Sequence, residues 1–256
     1  MRVRTVSLVA IAVAALLAAI AVAVAPAFGT GSASSAGSAS SAGLASSAIF
    51  SSAVTASTPF TKPPVVMKFI AYGAARKQEM TQYSRRHYGA AQATYILSDP
   101  RVIVLHHTDC ASWQTAWYTF NSNTPYTTGA GKEYPGVSAH FIIAKDGTIY
   151  QLMPLTYRAR HAIGMNWVAF GIEFCQEDSP GKSGHWMDQQ ILDRTAQVNA
   201  GLRLVRWLQY KYGIKTSNVV GHATANGSPY FMDKTGIRNA AGDWFAPELN
   251  KFKARL

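Results

Sequence analysis

Residues 102–108 read Val-Ile-Val-Leu-His-His-Thr and constrain the fold more than any other stretch of the chain. Four consecutive apolar residues, three of them β-branched, predict a strand that is buried on both faces. Neighbouring side chains on a strand point to opposite faces, so His106 and His107 are expected to have different surroundings. One of them can therefore lie at the mouth of a cleft on a rigid element, which is where a catalytic metal ligand would be placed.

The first 29 residues have the pattern of a secretory signal peptide. Arg2 and Arg4 precede an almost unbroken Ala/Val/Leu/Ile run over residues 6–24, and small residues follow as cleavage positions. The alternative is a retained membrane anchor, because the run is long enough to span a bilayer. We expect export with cleavage, and hence a secreted or envelope-associated protein.

Residues 30–58 consist mostly of Ser, Ala, Gly and Thr and carry no charge. Such a segment buries too little apolar surface to offset the entropy of ordering, so it is predicted to be a flexible linker. Residues 59–256 are then predicted to form one domain, a length that suits a sizeable single core.

The predicted domain is basic, with 22 Lys and Arg residues against 13 Asp and Glu residues, a net charge of +9. No run of clustered Lys and Arg marks a nucleic-acid groove, so no nucleic-acid partner is expected. Outside a cell this charge favours an anionic cell envelope as the partner. We expect the protein to act as a monomer.

The chain has two cysteines, Cys110 and Cys175. Two are too few for a disulfide framework, and their spacing is not that of a zinc knuckle. In an oxidising compartment one bridge can form, and two buried thiols are the equal alternative.

The rest of the domain mixes helix and strand patterns. Residues 74–88 and 188–212 have helical periodicity, the second being the longest helix, and residues 168–175 read as a buried strand. Asp146-Gly147 indicates a hairpin turn, and Asp109 is a candidate cap for the helix that follows it. Strands mixed with helices, with at least one hairpin, indicate an α/β fold with a mixed sheet flanked by helices.

His222 repeats the setting of His106, since it also follows a short apolar strand. Catalytic zinc takes three protein ligands and keeps one position open for water, so the two histidines are a candidate pair of ligands. A third ligand is expected from nearby chain. Asp233 and Asp243 are the acids that lie between His222 and Glu248.

Glu173 lies in the apolar segment Ala-Phe-Gly-Ile-Glu-Phe-Cys at 169–175. A carboxylate inside so apolar a strand is costly unless it has a partner or a task. Partial burial would raise the pKa of Glu173, which suits a general base near neutral pH. The alternative is a structural glutamate in a salt bridge.

Five short motifs follow one another along the chain: Ile-Val-Leu-His-His-Thr at 103–108, Val-Ser-Ala-His-Phe-Ile-Ile at 137–143 with Asp-Gly-Thr-Ile-Tyr at 146–150, Arg-His-Ala at 160–162, Gly-Ile-Glu at 171–173 and Val-Gly-His at 220–222. In this order and spacing they resemble zinc-dependent N-acetylmuramoyl-L-alanine amidases of the second type. That superfamily also holds the peptidoglycan recognition proteins and the amidase-type phage lysozymes. The resemblance covers residues 77–244.

The resemblance implies a peptidoglycan recognition protein-like fold and a zinc enzyme that hydrolyses the amide between N-acetylmuramic acid and L-alanine in peptidoglycan. It assigns His106 and His222 as zinc ligands and Glu173 as the catalytic glutamate. Asp243 fits the third ligand because it directly precedes the last helix, whereas the usual family spacing favours Asp233.

One departure from the family concerns the position two residues before the aspartate, where many relatives carry Lys or His. Ala241 occupies it here, and Lys234 and Arg238 are the nearby cations. The alternative function is a non-catalytic module that binds muropeptides on the same fold, and loss of a zinc ligand would indicate it. A purely structural envelope protein would leave Glu173 unexplained.

Overall fold

The computed structural model describes residues 60–128 and 131–256. The predicted signal peptide (1–29) and linker (30–58) lie outside the described residues, and the domain boundary at residue 59 stays a prediction. In the described ranges no helix combines the length and the apolar character that a membrane span requires.

The strands are β1 (Val66–Met67), β2 (Val102–Asp109), β3 (Tyr126–Thr128), β4 (Gly131–Glu133), β5 (Phe141–Ile143), β6 (Ile149–Gln151), β7 (Ala169–Glu177) and β8 (Val219–Gly221). Six of them form a central sheet in the order β1-β6-β5-β7-β2-β8, and β3 pairs with β4 separately. The β5–β6 pair is the predicted hairpin and is antiparallel, while the other pairs of the central sheet are parallel. The predicted mixed sheet is therefore confirmed.

The α-helices are α1 (Ala74–Tyr88), α2 (Trp113–Asn121), α3 (Gly184–Asp193), α4 (Thr195–Tyr212) and α5 (Ala246–Lys253). Apolar residues of α3, α4 and α5 share one buried cluster with Ile103 and Leu105 of β2. Ala116 and Phe120 of α2 pack in a second cluster with Cys175 of β7. Helices thus cover both faces of the sheet, as its apolar central strands require.

Strand β2 lies between β7 and β8 and is buried over its first six residues. Its side chains alternate, because Ile103 and Leu105 join the cluster of α3–α5 whereas Val102 and Val104 join a cluster on the other side. His106 follows Leu105 and therefore shares the face of Val102 and Val104, on the side of the sheet opposite α3–α5.

The longest predicted helix is interrupted, which is a correction to the expected single helix over 188–212. Arg194 has an extended backbone (φ −87°, ψ 92°) between α3 and α4. Its guanidinium donates hydrogen bonds to Gln176 Oε1 at 2.6 Å and Gln197 Oε1 at 3.2 Å. These contacts to the end of β7 and to α4 override a helical pattern that is continuous in the sequence.

The cap of α2 is also different from the expected one. Ser112 accepts the hydrogen bond from Thr115 N at 3.2 Å, and Ser112 is the N-cap residue. Asp109 instead ends β2 with a positive φ of 53°, and its carboxylate lies 2.9 Å from His107 Nδ1. Its pairing with a buried histidine replaces the expected capping role.

A buried histidine connects three parts of the chain. His87 of α1 lies 2.5 Å from Asp233 Oδ2 through Nδ1 and 3.1 Å from Glu133 Oε1 through Nε2. The His87 and Asp233 side chains are each 1% exposed. Burial alone would lower the pKa of His87, but its hydrogen bonds with Glu133 and Asp233 raise it above the ordinary value. Since both ring nitrogens of His87 are hydrogen-bonded to carboxylates, the ring is an imidazolium. It ties α1 to β4 and to the segment before α5.

Because the folded-state pKa of His87 is raised, its contribution to stability is complete below the unfolded-state value of about 6.5 and is lost as pH rises through the folded value. Replacing His87 with Gln should lower the free energy of unfolding by about 3 kcal/mol, since Asp233 loses its partner in a buried site. The substitution should also remove the part of the stability loss at alkaline pH that comes from deprotonation of His87. Urea unfolding at several pH values measures both, and an unchanged pH slope in H87Q would contradict the assignment.

Candidate metal centre

Three side chains with metal-binding chemistry converge at one edge of the central sheet, namely His106, His222 and Asp243. His106 lies toward the C-terminal end of β2, and His222 directly follows β8. The two strands are parallel neighbours with Leu105 opposite Gly221, so the residues that follow emerge side by side. The structure thus brings together the three residues that the sequence analysis selected as candidate ligands.

The ligand atoms face one another at short range. His106 Nδ1 lies 3.1 Å from His222 Nδ1 and 3.3 Å from Asp243 Oδ2, and His222 Nδ1 lies 3.1 Å from Asp243 Oδ1. All three ligand atoms lie within 4.8 Å of one another. Converging lone pairs of nitrogen and oxygen repel unless a proton or a cation lies between them, so the cluster has the chemistry of a cation site.

The protonation of the cluster suits a metal. Burial, together with the nearby His222, lowers the pKa of His106 to about 4, so its imidazole is neutral. Burial alone would raise the pKa of Asp243, but the adjacent His222 and His106 side chains hold it well below its usual range. Two imidazoles and one carboxylate are a ligand set that catalytic Zn²⁺ takes, so the residues present fit a zinc ion.

The backbone around Asp243 is held by a buried acid on α3. Asp188 accepts hydrogen bonds from Trp244 N and Phe245 N, both at 2.9 Å. Ala223 N donates to the Asp243 carbonyl oxygen at 2.9 Å, which joins this segment to the turn after β8. These bonds fix the Asp243 backbone next to His222.

Gly221 allows this segment to approach the end of β8. A Cβ atom at residue 221 would lie 1.8 Å from the Trp244 carbonyl oxygen, which no side chain can do. Trp244 is fully buried, has a positive φ of 52° and donates from Nε1 to the His106 carbonyl oxygen at 3.2 Å. The glycine before His222 is therefore a packing requirement of the site.

Asp233, the alternative third ligand, lies elsewhere. Its carboxylate is paired with His87 and also accepts hydrogen bonds from Thr235 N and Oγ1. Since the Asp233 carboxylate is engaged with His87, which anchors α1, the geometry favours Asp243 as the ligand.

The two cations considered as substitutes at Ala241 also make other contacts. Lys234 lies against Gly89, where an added Cβ would be 2.6 Å from its Nζ. The Arg238 guanidinium lies over the Phe231 ring at 5.0 Å. Neither side chain has a described contact with the three ligands.

Glu173 lies beside the cluster. It is the parallel partner of His106 in the β2–β7 register, so both side chains project from the same face. Its side chain is buried, and among the described residues no hydrogen bond or ion pair engages its carboxyl group. Burial, with the nearby charges of Asp243 and Asp109, raises its pKa well above the usual range. The structural salt bridge considered as its alternative role is not formed.

The other histidines have supporting positions. His161 is half-buried against Gly171, and its Nδ1 lies 3.0 Å from His106 Nε2, so it contacts a candidate ligand. His140 is fully buried, and its Nε2 lies 2.9 Å from the Tyr157 carbonyl oxygen, as a packed residue would. His107 points to the α3 side, where it pairs with Asp109.

One residue at the site was not identified from the sequence. Asn239 Oδ1 lies 3.0 Å from His222 Nε2, on the side of the ring away from the cluster. A single asparagine in a Gly/Asn/Ala-rich segment gives no signal of such a role. Only the folded path of residues 233–243 reveals it.

Comparison with known proteins identifies one family. The family described as N-acetylmuramoyl-L-alanine amidase matches residues 97–235, which is more than half of the chain. The match contains His106, Glu173 and His222 and ends before Asp243. No curated protein matches the chain.

Several solved structures are similar to the chain. A mutant endolysin from Bacillus subtilis is 22% identical, with 75% of this chain and 97% of that chain covered and a TM-score of 0.46. The amidase LysCS from Clostridium intestinale is 21% identical, with 75% and 97% covered and a TM-score of 0.44. The amidase AmiD from E. coli, in complex with its substrate, is 23% identical, with 49% and 50% covered and a TM-score of 0.35. At these identities and TM-scores the likenesses carry no weight for function, which leaves the family match as the informative finding.

Replacing Asp243 with Ala should lower zinc content to a small fraction of one ion per chain, because two histidines alone form an incomplete site. Asp233→Ala should keep its zinc and lose stability instead, because that substitution leaves His87 with one partner. Metal analysis after equilibrium dialysis, with circular dichroism as the control for folding, measures both. Zinc loss in Asp233→Ala together with retained zinc in Asp243→Ala would make Asp233 the ligand.

Proposed function

The chain belongs to the N-acetylmuramoyl-L-alanine amidase family and is a peptidoglycan amidase, and on this premise we propose that it is an exported zinc enzyme whose metal is held by His106, His222 and Asp243. The substrate bond is the amide that joins the lactyl group of N-acetylmuramic acid to L-alanine of the stem peptide. The observation that carries the proposal is the convergence of His106, His222 and Asp243 beside the unpaired carboxyl group of Glu173.

A zinc ion held by the three side chains would act as a Lewis acid toward the amide carbonyl and the attacking water. Glu173 supplies the proton transfers. Its carboxylate takes a proton from the attacking water and delivers it to the departing amine nitrogen of L-alanine as the carbon–nitrogen bond breaks. A raised pKa suits this double role, since the group must be a strong enough base and then an effective acid.

The alternative is a module that binds muropeptides without cleaving them. Such a module has no need for an ionisable group that is buried, unpaired and adjacent to a metal site, because burying it costs free energy without adding to affinity. The complete ligand set and Glu173 together therefore favour the enzyme.

Glu173→Gln tests the catalytic assignment. The variant should keep its zinc and its fold, because the amide has nearly the same shape, and should lose turnover by about 10²- to 10⁴-fold. The measurements are zinc content and mass analysis of digested peptidoglycan, in which free stem peptides and unsubstituted glycan strands identify the bond cleaved. Wild-type turnover in E173Q would refute the role of Glu173, and stem peptides still attached to muramic acid after wild-type digestion would refute the reaction.

Export and an envelope partner are part of the proposal. Residues 1–29 support export by their pattern, and the net charge of +9 supports attraction to an anionic envelope. The charge is unevenly placed, since residues 195–215 hold four cations and no acid. Three of these cations, Arg203, Lys211 and Lys215, are exposed on or just after α4.

Binding to purified cell walls should therefore weaken steeply as salt rises, because surface charges are screened over about 10 Å at 0.1 M ionic strength. A triple Ala variant of Arg203, Lys211 and Lys215 should bind more weakly at low salt and depend less on salt. The matched control is a triple Ala variant of three exposed cations that lie outside α4, namely Arg85, Lys132 and Lys182. Pull-down with insoluble walls measures both, and equal effects of the two triples would refute a special role for α4.

A further inference from the structure

We propose that Asn239 is a positioning residue which holds the His222 ring with its Nδ1 lone pair directed at the metal site, and that His161 does the same for His106. The inference rests on the proposed metal site and extends it to residues that hold the ligands. Asn239 belongs to a part of this chain, residues 236–243, that lies beyond the family match.

The orientation of the Asn239 amide follows from its own hydrogen bonds. Its Nδ2 donates to the Ile163 carbonyl oxygen at 2.8 Å and to Asn226 Oδ1 at 3.1 Å, both of which only accept. The amide oxygen must then be the atom that faces His222 Nε2 at 3.0 Å. Because that oxygen cannot donate, His222 Nε2 carries the proton, and in the neutral ring Nδ1 is bare.

The same reasoning applies to His106 through a second chain of bonds. His161 Nε2 lies 3.4 Å from the Ala169 carbonyl oxygen, which only accepts, so this nitrogen carries the proton of a neutral His161. His161 Nδ1 is then an acceptor for His106 Nε2 at 3.0 Å. His106 therefore also presents a bare Nδ1 to the cluster.

Asn239 is itself held in place by Asn226. Asn226 Nδ2 donates to the Asn239 carbonyl oxygen at 2.8 Å, and Asn239 N donates to Asn226 Oδ1 at 3.0 Å. These hydrogen bonds join Asn226, which follows β8, to Asn239, which lies shortly before Asp243. A histidine whose ring is already oriented loses less rotational freedom on binding a metal, and its outer hydrogen bond makes the inner nitrogen more basic.

Two substitutions separate positioning from a structural role of the Asn239 amide. Asn239→Leu removes the acceptor for His222 together with the donor to Ile163 and Asn226. Asn239→Asp keeps an acceptor for His222, removes the donor and adds a negative charge. Arg238→Met is the matched control, because Arg238 bonds the same residue as Asn239 does, by donating to the backbone carbonyl oxygen of Asn226, but does not contact His222.

The zinc affinity of the whole protein is measured by competition with a chromophoric chelator, with zinc as the only ligand. N239L should bind zinc about 10- to 100-fold more weakly, whereas N239D and R238M should stay within about threefold of the wild type by the same comparison. Proton NMR of the zinc-loaded protein adds a readout independent of turnover. N239L should lose the downfield Nε2–H resonance of His222 and keep that of His106, whose partner His161 is untouched.

Each outcome supports or contradicts the positioning role of Asn239. Unchanged zinc affinity in N239L, or an equal loss in N239L and N239D, would overturn the positioning role while leaving the zinc amidase intact. Absence of zinc binding by the wild type would instead overturn the proposed metal site, and the positioning role with it. Retention of both histidine resonances in N239L would show that Asn239 does not hold the ring.

Discussion

The parallel pairing of β2 with β7 and β8 is the constraint on which the rest of the site depends. Parallel neighbours end at the same edge of a sheet, so residues that are distant in sequence emerge side by side. His106 pairs directly with Glu173, and His222 follows the residue paired with Leu105. A one-residue slip in either pairing would turn a functional side chain to the opposite face. The apolar packing that fixes the register of β2 therefore also sets the geometry of the candidate site.

The position of Asp243, the candidate third ligand, depends on a different kind of contact. Asp243 belongs to no strand, and its position follows from the way its segment is held against β8. The Asp188 carboxylate binds two backbone amides of that segment, and Gly221 permits an approach that any Cβ would block. Part of the candidate site is thus set by sheet register and part by close packing of a loop, which explains why the sequence left two acids as candidates for the third ligand.

Local sequence signals were reliable where they did not compete with tertiary contacts. The helix predicted over 74–88 and the hairpin at Asp146-Gly147 both formed, and the mixed α/β sheet is confirmed. The single long helix was wrong, because Arg194 leaves the helical conformation to bond with Gln176. The cap at Asp109 was wrong, because Asp109 pairs with His107. In the first case a hydrogen bond between two separate elements outweighed a local preference, and in the second a close pairing with a buried histidine two residues away did so.

The sequence by itself determined the chemistry of this protein: a buried strand ending in two histidines, an acid inside an apolar strand, and the ordered motifs of an amidase. These signals are local, because they depend on residue type, alternation and spacing. Only the tertiary structure decided which acid faces the histidines, since Asp233 and Asp243 are equally good ligands as residue types and differ in what surrounds them. It also decided which nitrogen of each histidine faces the site, because Asn239 and His161 reach those rings only after the chain has folded.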